Sequence, residues 1–160
     1  MLMVRSLHDF ETGRLYHITT RALHGRFLFE PDREKRVIIE ALDHYRRAGV
    51  LTVYGFVVMA NHVHLVLQPT IEDFSKIIAG FKRWTSRHSR TKPDGTAAWE
   101  EGFDDNLIRS MYEMRSVVRY VHSNPVRIGL TESPEDYFWS SARNYAALSP
   151  VAMTVETEWW

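Results

Sequence analysis

Apolar and polar residues change period several times along the chain, and each change marks an element. Residues 14–22, RLYHITTRA, alternate roughly and are rich in aromatic and β-branched side chains, which predicts a first strand. Pro31 and Asp32 then open a helix with Asp32 as its N-cap. Val37, Ile38, Ala41, Leu42 and Tyr45 recur there at helical spacing until Ala48 and Gly49 close it. Residues 50–58, VLTVYGFVV, read as a strongly apolar strand, and HVHLVLQ up to Pro69 as another. The break at Met59, Ala60 and Asn61 is short enough for a hairpin. Residues 72–90 read as a second helix with Phe74, Ile77, Ile78, Phe81, Thr85 and His88 on one stripe. TKPDGT at 91–96 is a loop, and 99–105 a short fourth strand or extended segment. A third helix is expected over 106–124, with Leu107, Met111, Met114, Val118 and Val121 as its stripe. Pro125 should stop it, because a residue before proline is pushed out of the helical region. The tail, with Pro134, Trp139, Pro150, Trp159 and Trp160, reads as irregular.

The order β-α-β-β-α-(β)-α predicts an α+β fold of the ferredoxin-like, split βαβ kind: an antiparallel sheet with helices on one face, followed by a further C-terminal helix. A chain of 160 residues fits one domain, with a core over about 12–125 and a tail over 126–160. No stretch is long and apolar enough to cross a membrane, and residues 1–10 lack the apolar segment and cleavage site of a leader, so a cytoplasmic protein is expected. With no cysteine, any metal site must use nitrogen and oxygen ligands.

Twenty basic and twenty acidic side chains cancel, so the molecule as a whole is no general electrostatic trap for nucleic acid. The charge is nevertheless blocked. Residues 76–92 hold Lys76, Lys82, Arg83, Arg87, Arg90 and Lys92 with no carboxylate, whereas 94–105 hold five carboxylates and no base. Lys76, Arg83, Arg87 and Arg90 fall opposite the apolar stripe of their helix and form either a solvated face or a track for a nucleic-acid backbone, with Lys82 beside it. Arg127 could hold a phosphate or cap the end of the third helix. Tryptophans in a domain of this size belong mostly to the core, and a base-stacking role for Trp84, Trp99 or Trp139 is the lesser reading. His17, on the first strand, is either close to a metal or simply packed.

His62 and His64 leave one face of a strand about 7 Å apart, close enough to converge on one ion, while Val63, Leu65 and Leu67 point into a core. Two histidines on a solvated strand face is the alternative. On the third helix Glu113, Ser116, Tyr120 and Asn124 form a polar strip. Tyr120 and Asn124 lie one turn apart and read either as packing residue and helix stop or as part of a site. Two imidazoles and an amide oxygen would make a neutral N/O site with open positions, suited to a divalent ion holding a phosphate. A tyrosine beside it could attack that phosphate; a phenol is a poor nucleophile at neutral pH and needs such help. Exchanging one phosphodiester for another is reversible and requires no ATP.

The runs YGFVVMANHVHLVLQP, WEEGFDDNLIR, YVHSNPVRIGL and PEDYFWSSARNY, in this order over nearly the whole chain, resemble the REP-associated tyrosine transposases, a branch of the HUH single-tyrosine transposases of insertion sequences. The resemblance implies a ferredoxin-like domain in which His62 and His64 bind a divalent metal, Mg²⁺ or Mn²⁺, with Asn124 as third ligand and Tyr120 as catalytic nucleophile. It implies cleavage and rejoining of single-stranded DNA that carries palindromic hairpins, through a 5′-phosphotyrosine and a free 3′-hydroxyl, by a monomer or a homodimer. His122, between Tyr120 and Asn124, has no role in that pattern.

A histidine-triad hydrolase would need a third histidine where Val66 stands. A non-catalytic ferredoxin-like nucleic-acid reader, or a domesticated transposase that processes repeated palindromes, are the alternatives the sequence leaves open.

Overall fold

The structure, a computed structural model, describes residues 10–160; the leader expectation concerns residues that, Phe10 apart, lie outside that range. Four strands, β1 (Leu15–Arg21), β2 (Leu51–Val58), β3 (His62–Pro69) and β4 (Asp104–Ile108), form one sheet in the order β2-β3-β1-β4. Every neighbouring pair is antiparallel. With α1 (Asp32–Arg47) after β1 and α2 (Phe74–His88) after β3, each βαβ unit is split by a strand of the other. This is the ferredoxin-like arrangement expected from the element order.

Alternation along the strands produces two apolar layers. Ile18, Phe56, Val58, Val63, Leu65 and Leu67 face α1 and α2, where Ile38, Leu42, Phe74, Ile78 and Phe81 complete the main core. At Gly80 a Cβ would stand 2.7 Å from the Tyr45 hydroxyl, so the two helices approach closely there. The other layer lies under α3 (Met111–Arg127), whose Met114, Val118 and Val121 pack on Val57, Val66 and Ile108. Helices thus cover both faces, with α3 over the second.

Three local expectations need correction. Pro31, not Asp32, is the N-cap of α1; the Asp32 carboxylate instead accepts a hydrogen bond from Trp139 Nε1 at 3.0 Å. The fourth strand lies at Asp104–Ile108, so Leu107 and its neighbours belong to the sheet rather than to the third helix, which starts only at Met111. A sequence signal for that start exists: Ser110 accepts from the Glu113 N–H and the Glu113 carboxylate accepts from the Arg109 N–H, a capping-box variant spelled S-x-x-E. Finally, Pro125 does not end α3 but sits in its last turn. Pro125 has no N–H for the Val121 carbonyl one turn back. The Asn124 side-chain Nδ2 donates to it instead, at 3.2 Å, and to the Tyr120 carbonyl at 2.9 Å.

The segment after α3 forms a 3-10 turn at Pro134–Asp136 and a short helix α4 (Ala142–Tyr145). It also covers the outer edge of β2, where the Val58 N–H reaches the Trp139 carbonyl, the Ser141 N–H the Phe56 carbonyl and the Glu156 N–H the Val53 carbonyl. An exposed strand edge invites pairing with other chains, and this segment removes it. His122 acquires its role here. Buried on α3, its Nε2 lies 2.7 Å from Ser141 Oγ, which also accepts the Phe56 N–H at 2.9 Å, so one hydroxyl ties helix, strand and tail together.

Ser141→Ala is therefore expected to lower the unfolding free energy by about 1–3 kcal/mol by orphaning buried polar partners; urea unfolding with an unchanged midpoint and slope would contradict this role.

Candidate active site

The site forms on the α3 face of the sheet. Antiparallel pairing sets Thr19 opposite His64, Arg21 opposite His62 and His17 opposite Val66, so His17, Thr19 and Arg21 share that face with both histidines. The packing of Met114, Val118 and Val121 then lays Tyr120 over it. The Tyr120 ring is 5.5 Å from that of His64 and 6.1 Å from that of His17, and the His62 and His64 rings are 5.0 Å apart. Tyr120 itself is 42% exposed, open to a substrate, whereas His64 is 5% exposed. The Arg127 guanidinium lies 5.0 Å above the Tyr120 ring, a cation–π contact.

The hydrogen bonds orient these groups. His62 Nδ1 lies 2.8 Å from Asn61 Oδ1, an acceptor, so a neutral His62 carries its proton there and has a lone pair to offer at Nε2. His64 Nδ1 lies 3.0 Å from both His17 Nε2 and Thr19 Oγ1. Asn124 uses its Nδ2 on two helix carbonyls, which leaves Oδ1 for the His62 ring that it neighbours. Burial is the main force keeping all three histidines neutral. It lowers His17, and it lowers His62 with help from Arg21 and against the opposing effect of Asn124, whose Oδ1 accepts from a protonated His62 ring. It drives His64 down to about 3, aided by His62, His17, Arg21 and Arg127.

Neutral imidazoles and an amide oxygen form a donor set that fits a divalent cation, and His62, His64 and Asn124 could hold one. Among the described residues no group of three or more His, Asp or Glu side chains is so placed, which leaves this mixed set as the candidate.

The basic residues divide. Lys82 donates to the Glu100 and Gly102 carbonyls at 2.6 and 2.5 Å and so pins the loop that leads into β4. Lys76 pairs with Asp73 on the surface, and the Arg90 backbone N–H bonds Glu34. Arg83 and Arg87 are exposed and line, with Lys82, Lys92 and Trp99, a cleft of about 640 Å³. A neighbouring cleft of about 220 Å³ shares Glu100 and Glu101 with it and reaches Thr19 and Arg21, beside His64. Trp99 and Trp139 are core residues; Trp84 is partly exposed and stacks on His88.

His17, Thr19 and the Arg21–Asp104 ion pair (2.5 Å) are the features that the sequence pattern left out of the site. The available signal was the period of two: Tyr16, Ile18 and Thr20 take the core face, which turns His17, Thr19 and Arg21 to the other.

A two-histidine strand facing a tyrosine helix across a ferredoxin-like sheet defines a class, and the kinship of the chain agrees. The IS200-like transposase family matches residues 12–124, and the chain belongs to that family. Within it the chain is similar to a Haemophilus influenzae protein provisionally named REP-associated tyrosine transposase, 28% identical over an alignment 152 residues long that covers 83% of this chain and 82% of that relative. A solved structure of a REP-associated tyrosine transposase bound to a REP hairpin has the same fold, with a TM-score of 0.71 over 96% of this chain and 93% of its own at 19% identity.

Because the folded-state values of His17, His62, His64 and His122 all lie below that of a free imidazole, the unfolded chain takes up more protons in acid, and stability falls as pH falls. The thermal midpoint is expected to decline between about pH 6.5, the ordinary imidazole value, and pH 4, the value to which burial lowers His122. A midpoint flat across that range would contradict the neutral, buried histidines.

Proposed function

We propose that this chain is a metal-dependent single-stranded DNA transposase that nicks and rejoins hairpin-forming DNA through a 5′-phosphotyrosine on Tyr120. The observation that carries this reading is the exposed Tyr120 ring lying 5.5 Å from the buried, neutral His64. Membership of the IS200-like transposase family supports it, as does the REP hairpin held by the structurally similar transposase.

In this reading His62, His64 and Asn124 hold a divalent cation, Mg²⁺ or Mn²⁺, which when bound supplies charge neutralisation for the scissile phosphate. Tyr120 attacks phosphorus through its phenolic oxygen. The bond from phosphorus to the 3′-oxygen breaks, the phenol gives up its proton, and the departing 3′-oxygen gains one as a hydroxyl. Arg127, over the Tyr120 ring, sits where it offsets the anionic charge of the phosphate. Rejoining is the same step reversed by a 3′-hydroxyl, and since one phosphodiester replaces another no external energy source is needed.

Arg83 and Arg87 of α2, with Lys92, provide the backbone contacts of the hairpin, and the two adjacent clefts, which share Glu100 and Glu101, lie between them and Thr19. Lys82 serves this interface by fixing the loop before β4, while Lys76 and Arg90 contribute to the general basic field of the helix. Tyr120, His62, His64 and Asn124 all come from one chain, which supports a monomer as the active unit in place of an exchanged dimer. We read residues 1–160 as one domain acting in the cytoplasm; no described helix is long and apolar enough to cross a membrane.

The test mixes the protein with end-labelled single-stranded hairpin oligonucleotides and Mn²⁺ and looks for a covalent protein–DNA band on a denaturing gel. The band is expected with the native chain and should disappear in both Tyr120→Phe and His62→Ala. Hairpin binding without any band, or a band that survives Tyr120→Phe, would overturn the reading in favour of a non-catalytic DNA reader or another nucleophile.

A further inference from the structure

His17 is the one histidine of the site with no part in the proposed chemistry, and its ring is in polar contact with that of His64. Its Nε2 and Thr19 Oγ1 both lie 3.0 Å from His64 Nδ1. The proposed ligand set does not include it, and among the described residues no three His, Asp or Glu side chains are grouped to hold a metal.

Two neutral imidazoles in contact through one nitrogen each must divide the roles, one donating and the other accepting. If His17 donates, His64 Nδ1 is bare, the His64 proton sits on Nε2, and that nitrogen has no lone pair for a cation. If His64 donates, its Nε2 is bare, and His17 holds its own proton on Nδ1. The tautomers of the two rings are thus locked together. Thr19 does not choose between them, because its hydroxyl can donate or accept. His62 is already fixed with its proton on Nδ1 by the Asn61 carbonyl, whose amide nitrogen points away to the Gly25 carbonyl. A His64 in the same form gives a matched pair of bare Nε2 atoms.

We propose that His17, assisted by Thr19, is a positioning residue that accepts a hydrogen bond from His64 Nδ1–H and thereby keeps His64 Nε2 available as a ligand, an inference that rests on the reading of His62, His64 and Asn124 as a cation site. Partners of this kind commonly change metal affinity 10- to 100-fold.

Long-range nitrogen–proton NMR correlations on the full chain with labelled histidines report the His64 tautomer, and titration with Mn²⁺ followed by electron paramagnetic resonance reports affinity without DNA or turnover. His64 is expected with its proton on Nδ1 in the native chain. His17→Leu should redistribute that proton and weaken Mn²⁺ binding by about 10- to 100-fold, with a metal-free thermal midpoint close to the native one. His17→Gln, which restores a carbonyl acceptor, should recover most of the affinity. A native His64 protonated on Nε2, or a His17→Leu chain with native tautomer and native affinity, overturns the proposal. Should His17→Leu fail to fold, the native tautomer and His17→Gln still decide it. Failure of the cation site shows itself separately, as Mn²⁺ binding indifferent to His62→Ala, and the tautomer of His64 with and without His17 then still decides whether this contact places the proton.

Discussion

The site depends on one packing interaction, the seating of Met114, Val118 and Val121 of α3 on Val57, Val66 and Ile108. Burial of these apolar side chains contributes on the order of 1.5–3 kcal/mol each for the larger ones. That contact fixes the rotation of the helix about its axis. With Val118 and Val121 turned into the sheet, Tyr120 is directed to the rim, where its ring meets His64 and His17 while remaining exposed. The tyrosine proposed as nucleophile, on a well-packed helix, and the histidines proposed as ligands, on a central strand, are held by rigid elements on both sides, as positioning to within a fraction of an ångström requires.

Two devices keep the helix in register to its end. The Asn124 side chain restores a hydrogen bond to the Val121 carbonyl that Pro125 cannot supply, and the same bonds aim its carbonyl oxygen at His62. A residue that repairs the helix is thereby oriented as a candidate ligand. His122, directed inward just before it, ties α3 through Ser141 to β2 and to the segment that covers the β2 edge. The tail thus belongs to the framework that holds α3, and with it Tyr120, down on the sheet.

Much of this was legible in the chain. Alternating and helical periods located β1, β2, β3, α1 and α2, and the split βαβ order followed from them. His62, His64, Tyr120 and Asn124 stood out by residue type and spacing. What escaped was what depends on tertiary context. Asn106–Ile108 carry a helix-compatible pattern and become strand because β1 offers a pairing edge to them, with Leu107 opposite Tyr16 and Ile108 opposite Leu15. Pro125 looked like a helix stop because its repair by a neighbouring side chain cannot be seen in a propensity. His17 stands out in sequence but its place near a metal or in the packing is undecided there, and Thr19 carries no signal; both acquire meaning only when the β1–β3 register sets Thr19 against His64. The basic strip of α2 was visible as a strip, but the use of Lys82 to pin the Glu100–Gly102 loop emerges only in the folded chain.

The central claim is that the phenol of Tyr120 is the group that takes the DNA. It is tested most directly by trapping the protein on a hairpin oligonucleotide, digesting with trypsin and locating the nucleotide remnant by mass spectrometry. The remnant is expected on YVHSNPVR, which begins at Tyr120 and contains no other tyrosine. A remnant on SMYEMR, which carries the highly exposed Tyr112, or on any other peptide would contradict it.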